Sequence, residues 1–285
     1  MKHIKLFSIL AGLILLTSPF FGGCTEKETA EMKVVTTTSL LEQIVDRIAG
    51  EKVEVVNIIP PAQCPGHFDV KPGDVQTLSD ATLFLMHGWQ GEKFTEELIA
   101  SAANENLISI QINASAGENQ NWMSPPVQKD AVDKVATALS QVDAANSAFY
   151  AERANAYKAE IDAKTADMQN QIADKNFNDI KVMCNDQLTG LVRWMGLDLV
   201  QTYGRPDSLT PQVLKDLVDT ARVEGVVLFI DNLQAGVGAA AQLADEIDVD
   251  YVVFTNFPGG FDGTETWEKA IQYDIDLIVE VISKQ

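Results

Sequence analysis

The sequence predicts an α/β protein made of two parallel-sheet α/β lobes joined by one long backbone helix, with a ligand cleft between the lobes. Three observations carry this. Short β-branched runs alternate with helix-patterned segments over residues 34–112, and the same alternation returns over residues 180–282. Between them, residues 144–175 place Tyr150, Tyr157, Ile161, Met168 and Ile172 at separations of seven, four, seven and four, one stripe on a helix of period 3.6. Glu152, Lys158, Glu160 and Asp162 occupy the other faces, and no Gly or Pro falls between Val127 and Thr189. A thirty-residue helix spans roughly 45 Å, a length suited to a strut between lobes.

The elements follow in order. Residues 1–5 are basic, residues 6–16 apolar, and Phe21-Gly22-Gly23-Cys24 resembles a lipoprotein cleavage box. Residues 1–23 therefore read as a signal peptide and Cys24 as the lipidated first residue of the mature chain. About eleven apolar residues followed by Pro19 are too few to span a bilayer. Residues 24–32 form a polar tether. The first lobe, residues 33–126, has strands at 34–38, 53–60, 81–86 and 107–112, with helices at 39–49, 74–80 and 93–103. Ser39-Leu40-Leu41-Glu42 has the pattern of a capping box. A helical segment, residues 127–176, contains the strut. The second lobe, residues 177–285, has strands at 180–183, 199–203, 226–230 and 251–254, with helices at 188–195, 211–222, 238–247 and 265–282. Parallel strands joined by right-handed crossovers are the expected outcome.

Removing residues 1–23 takes away two lysines and no acids, leaving 19 basic and 41 acidic side chains and a net charge of −22. Nucleic acid is excluded as a partner by that balance. Diffuse acid of this kind specifies solubility and compatibility with cations but no site. A serine hydrolase is not indicated, because no Gly-x-Ser-x-Gly elbow occurs, and a redox enzyme is not indicated, because there is no Cys-x-x-Cys pair. Gly236-Val237-Gly238 lacks the Lys-Ser/Thr of a phosphate loop. The chain is read as performing no chemistry.

In open parallel sheets ligands bind outside the carboxyl ends of the strands. In the first lobe those ends carry Thr36 to Ser39, Cys64-Pro65-Gly66-His67, His87 and Asn119-Gln120-Asn121-Trp122. In the second they carry Cys184-Asn185-Asp186, Tyr203-Gly204-Arg205, Asp231-Asn232 and Thr255-Asn256. His67 and His87, the two histidines left after residue 23, both fall on this rim.

These features together resemble the zinc- and manganese-binding solute receptors of ABC importers. The likeness runs through the opening strand and helix, Pro60-Pro61 and Pro72-Gly73-Asp74-Val75, residues 81–88, Trp122 and Pro125, Val142-Asp143-Ala144-Ala145-Asn146 with Tyr150 and Tyr157, Asn185-Asp186, and Phe229-Ile230-Asp231. It implies an extracytoplasmic receptor, anchored to the cell membrane through Cys24, that passes a transition metal to an ABC permease and its ATPase. Members of that family usually hold their metal with three histidines and an acid. Here the first histidine position falls on Gly66, the second on Gln120, the third on Asn185 and the acid near Thr255 or Asn256, so the usual ligand set is substituted.

Two readings of the substituted site stay open. In one, Cys64, His67, His87 and Cys184 converge with Asp231 around a bare soft metal, zinc foremost, since thiolate and imidazole suit zinc or copper(I) and the loss of oxygen donors argues against manganese. In the other, Cys64 and Cys184 form a disulfide or are buried thiols. The cleft then binds a metal complex or other polar or anionic molecule through Gln120, Asn185, Arg205, Thr255, Asn256 and Asp231.

Overall fold

The computed structural model describes residues 32–284. Residues 1–31, with the signal peptide, Cys24 and most of the tether, lie outside them. The first lobe is a four-stranded parallel sheet of order β2-β1-β3-β4, built from β1 (Met32–Thr36), β2 (Val53–Asn57), β3 (Leu83–Met86) and β4 (Ile108–Gln111). The second repeats the plan as β6-β5-β7-β8, with β5 (Lys181–Asn185), β6 (Asp198–Tyr203), β7 (Leu228–Asn232) and β8 (Asp250–Phe254). Central strands are buried on both faces, as parallel sheets with helices on either side require: Leu83-Phe84-Leu85-Met86 is buried throughout.

Helices α1 (Ser39–Ala49), α2 (Pro72–Ser79) and α3 (Phe94–Ala102) serve the first sheet, and α6 (Thr189–Trp194), α7 (Pro211–Glu224), α8 (Ala239–Asp245) and α9 (Trp267–Ile282) the second; α4 (Pro125–Val142) and α5 (Ser147–Asp174) form the backbone between them. The 28 residues of α5 span about 42 Å. Tyr150, Ala154, Tyr157, Ile161 and Met168 are its buried stripe, with Ile172 partly buried. The predicted strut therefore forms, shortened at its start. A short 3-10 turn at Ala144–Asn146 precedes it, and Asp143 breaks the helical segment in two by accepting hydrogen bonds from Tyr150 Oη and Asn146 Nδ2, each at 2.6 Å.

The capping box at Ser39 does not form. The helix N-cap is Thr38, whose hydroxyl pairs instead with His87 Nε2 at 2.6 Å, while Ser39 Oγ donates to the carbonyl of Pro258 in the second lobe at 2.7 Å.

One apolar core runs through both lobes, joining Val34 and Leu41 of the first to Tyr157 of the strut and to Ile230 and Trp267 of the second. Smaller cores lie on the outer faces, around Phe84 and Leu98 in the first lobe and Phe229 and Leu243 in the second. Arg47 of α1 binds Glu160 of α5 at 2.6 Å and Glu268 of α9 at 3.2 Å, tying strut and both lobes at one surface point. A continuous core of this kind opposes wide opening, because separating the lobes would expose apolar area at roughly 25 cal/mol per Å².

Candidate functional site

Both sheets reverse their strand order between the first strand and its neighbours, so each has a switch point at its carboxyl edge, where crossover loops part and a ligand has room. The two edges face one another across a cleft of about 890 Å³. That size belongs to sites for organic ligands of some 300–1,000 Å³.

Cys64 and His67 line the first-lobe side. The segment Pro65–His67 is a single 3-10 turn with Cys64 as its N-cap, and His67 N–H donates to the Cys64 carbonyl at 3.1 Å. Residues three apart in such a turn lie on one side, so the two side chains project together. Arg205, on the loop after β6 in the second lobe, meets them both: Nη1 donates to Cys64 Sγ at 3.2 Å and Nη2 lies 2.8 Å from His67 Nδ1. Gly66 packs its backbone against Gly91, whose added Cβ would meet Gly66 N at 3.3 Å.

The loop at 119–122 forms a second wall. Asn119 Nδ2 donates to Gly190 O at 3.2 Å, and Asn121 Nδ2 donates to Gln187 O at 2.9 Å and to Asn256 Oδ1 at 3.0 Å, three bonds that cross from one lobe to the other. Gln120 between them is exposed and lines the cleft. Gln234 Nε2 adds another crossing bond, to Pro61 O at 2.8 Å.

Aromatic rings make up much of the remainder. Trp89 of the first lobe and Phe257 of the second are parallel within 5°, centroids 6.2 Å apart, and Trp122 stands edge-on to Trp89 at 6.0 Å. On α6, Gly190, Arg193 and Trp194 share one helix face at spacings of three and four, and that face borders the cleft.

The convergence of Cys64, His67, His87, Cys184 and Asp231 on one point is not found. Among the described residues no three of His, Cys, Asp and Glu are grouped so as to hold a metal ion. Cys184 is fully buried in the core on β5, both cysteines are free, and burial pushes the Cys184 thiol up to about 12, so it is a neutral thiol rather than a thiolate. His87 is fully buried behind the cleft wall, stacked on Trp89 at 3.6 Å and edge-on to Trp122 at 4.0 Å. Burial drives its pKa well below the usual value and keeps the ring neutral.

Asp231 is spent on structure: it accepts from Gly238 N at 2.7 Å, Ala240 N at 3.0 Å and Tyr203 Oη at 3.1 Å, capping the start of α8. Asn185 is likewise buried, its Oδ1 accepting from Gln187 N at 3.1 Å, and Thr255 is buried with its hydroxyl donating to Phe257 O at 2.8 Å. Neither lines the cleft. Of the candidate residues, Cys64, His67, Gln120, Arg205 and Asn256 do.

Arg193, Gln187, Gln234 and Phe257 are cleft residues the sequence analysis did not single out. For Arg193 the signal was available, in the helical spacing it shares with Gly190.

Two matched parallel sheets about a rigid helix, with a lined hollow between their carboxyl edges, define a solute-binding receptor rather than an enzyme. The family described as zinc-uptake complex component A, periplasmic, matches residues 34–281, and the chain belongs to that family. It is 24% identical over 163 residues to the manganese-binding lipoprotein MntA of Halalkalibacterium halodurans, a match covering 52% of this chain and 54% of that one. It is 25% identical over 260 residues to the metal ABC transporter substrate-binding lipoprotein FimA of Streptococcus parasanguinis, covering 80% and 82%. Its fold is shared with the solute-binding protein FpvC of Pseudomonas aeruginosa in complex with Mn2+, at a TM-score of 0.74 and 20% identity over 89% of this chain and 98% of that one.

Proposed function

We propose that this chain is the cargo receptor of an ABC importer, held at the outer face of the cell membrane by lipid on Cys24, and that its cargo is a metal complex or other anionic small molecule rather than a bare ion. Relatives named as manganese-binding and metal substrate-binding lipoproteins support the receptor role, the permease and ATPase as partners, and the anchor.

The observation that carries the choice of cargo is the pairing of Arg205 with Cys64 and His67. A guanidinium bonded to both soft donors repels a small cation from the spot where they meet, and its fixed charge attracts carboxylate or phosphate. The exposed amide of Gln120 provides directional hydrogen bonds, and the volume exceeds what an ion fills. Zinc and other bare metals remain the competing reading, with Cys64 and His67 as donors once Arg205 is displaced.

The test is the content of untagged protein isolated from its own cell envelope, by elemental analysis and by identification of small molecules released on denaturation. An organic ligand in equal amount to the protein, with or without a metal, supports the reading. One metal per chain with no organic ligand contradicts it.

A further inference from the structure

We infer that the cargo is an amino-carboxylate, an amino acid or short peptide that is free or chelates a metal, with its carboxylate held by Arg193 and its ammonium by Glu118 or Asp186. This rests on the receptor reading above and names its substrate class: it keeps the carboxylate and adds an ammonium.

The balance of charge in the lining is the first argument. Arg193 and Arg205 border the cleft, and so do Glu118 and Asp186. Arg205 is already engaged: Nη1 and Nη2 reach Cys64 and His67, and Nε lies 3.6 Å from Asp207 Oδ1. Glu118, Asp186 and Arg193 are exposed at the wall, and among the described residues their charged ends enter no ion pair and no side-chain hydrogen bond. These three charges are left for a ligand. A pure anion would pair with Arg193 and be repelled by both acids, whereas a molecule carrying both signs pairs with each. The acids do not serve a metal, because no three of His, Cys, Asp and Glu are grouped among the described residues and a bare ion takes three or four protein ligands. An ammonium needs only acceptors for its three protons, and a guanidinium matches a carboxylate bidentately.

Placement gives the second argument. Asp186 opens the 3-10 turn Asp186–Leu188, which runs directly into α6. Three residues of one helix and four of the other return to nearly the same face, so Asp186 and Arg193 stand along one wall with their Cα atoms roughly 10–12 Å apart. Gly190 lies between them. A Cβ there would run into Asn119 Oδ1, so the facing loop approaches this wall only because the residue is glycine. Asn119 Nδ2 bonds Gly190 O at 3.2 Å, which sets the neighbouring Glu118 across from the same face. A carboxylate on Arg193 thus has two acids for its ammonium: Glu118 on the facing loop for an amino acid, and Asp186 at the length of an extended peptide of about three residues. Gln120, exposed on that loop, supplies an amide to either.

The experiment is calorimetric titration of the untagged full chain, dialysed free of cargo, with L-glutamate and with the tripeptide Gly-Gly-Glu, each alone and with one equivalent of zinc chloride. Forms of each probe with the amine acetylated or the α-carboxylate amidated run in parallel. The expected result is saturation at one probe per chain, the amino acid or the peptide binding more tightly according to which source the cleft serves. Capping either charge should weaken binding about tenfold or more, the scale of a hydrogen bond between charged groups. Arg193→Gln should abolish the preference for the free carboxylate, and Glu118→Gln with Asp186→Asn the preference for the free amine. Unchanged circular dichroism and thermal midpoint of these surface variants will show that the fold is kept. No saturation by any probe, or equal binding of capped and uncapped forms by wild type, overturns the inference. Native cargo that lacks an amine overturns it too and leaves the receptor reading standing. A lone bare ion at one per chain overturns both.

Discussion

Arg205 of the second lobe donates from Nη1 to the sulfur of Cys64 in the first, at 3.2 Å, and the guanidinium is half-buried as it does so. Cys64 is partly exposed at the cleft, whereas Cys184 is sealed in the core on β5. In a Cys24→Ser background, a thiol reagent is expected to modify one cysteine in the native protein and a second only after unfolding. Arg205→Ala should leave that count at one, with Cys184 still protected until unfolding. A count of zero native thiols, with a mass two protons lighter, would show a disulfide instead.

His87 gives stability a defined pH dependence. Its folded pKa is depressed by burial, so between about pH 6.5 and more acidic values the unfolded chain binds a proton that the native chain does not. Its contribution is therefore intact above the unfolded pKa and lost as pH falls toward the folded one, with a slope approaching about 1.4 kcal/mol per pH unit. Urea titrations at pH 7.5 and 5.5 should show a smaller loss of stability on acidification in His87→Gln than in wild type.

Asp274 has the opposite sign. It is fully buried on α9, accepts Thr255 N–H at 3.0 Å through Oδ1, and its other oxygen has no partner, so burial raises its pKa well above the carboxylate range. Stability tied to the neutral acid is present at low pH and is lost as pH rises through the folded pKa. Asp274→Asn keeps the acceptor and removes the charge. Its thermal midpoint should match wild type near pH 5 and exceed it at pH 8.

Trp267 is a fully buried side chain of the shared core, and its Nε1–H donates to Met123 O at 3.0 Å, pinning α9 to the segment ahead of α4. Truncation leaves a large cavity and an unpaired buried carbonyl. Trp267→Ala should cost about 3–5 kcal/mol in denaturant unfolding, against about 1 kcal/mol or less for Arg47→Ala, whose ion pairs are partly exposed.

Much of the architecture was legible because strands buried on both faces demand apolar runs, as in β3 and β5. The edge strands β2, β4, β6 and β8, half-buried or exposed over much of their length, still carry the shorter apolar or β-branched runs that mark a strand. The strut was legible from its stripe, but not the division between α4 and α5. That break is made by Asp143 capping toward Tyr150 and Asn146 rather than by Gly or Pro, the residues that usually mark such a stop. The Ser39 capping box failed for a related reason: Thr38 and Ser39 found partners 49 and 219 residues away, which no local pattern encodes.

The site was partly legible. Topology placed the right loops at the cleft, and Cys64, His67 and Arg205 were named from it. His87, Asp231, Asn185 and Thr255 sit at strand ends as expected, yet their side chains turn inward to close buried hydrogen bonds. Strand-end position tells where the backbone is, whereas the direction of a polar side chain depends on which orphan backbone groups need it.

The most direct test of the receptor account is X-ray absorption at the metal edge of untagged protein isolated with its cargo. The account predicts a metal with no more than two donors from the chain, a sulfur or an imidazole nitrogen that disappears in Cys64→Ser or His67→Ala, and the rest of its shell supplied by a bound organic ligand. A shell of three or four protein donors around a bare ion, unchanged in those variants, would contradict it.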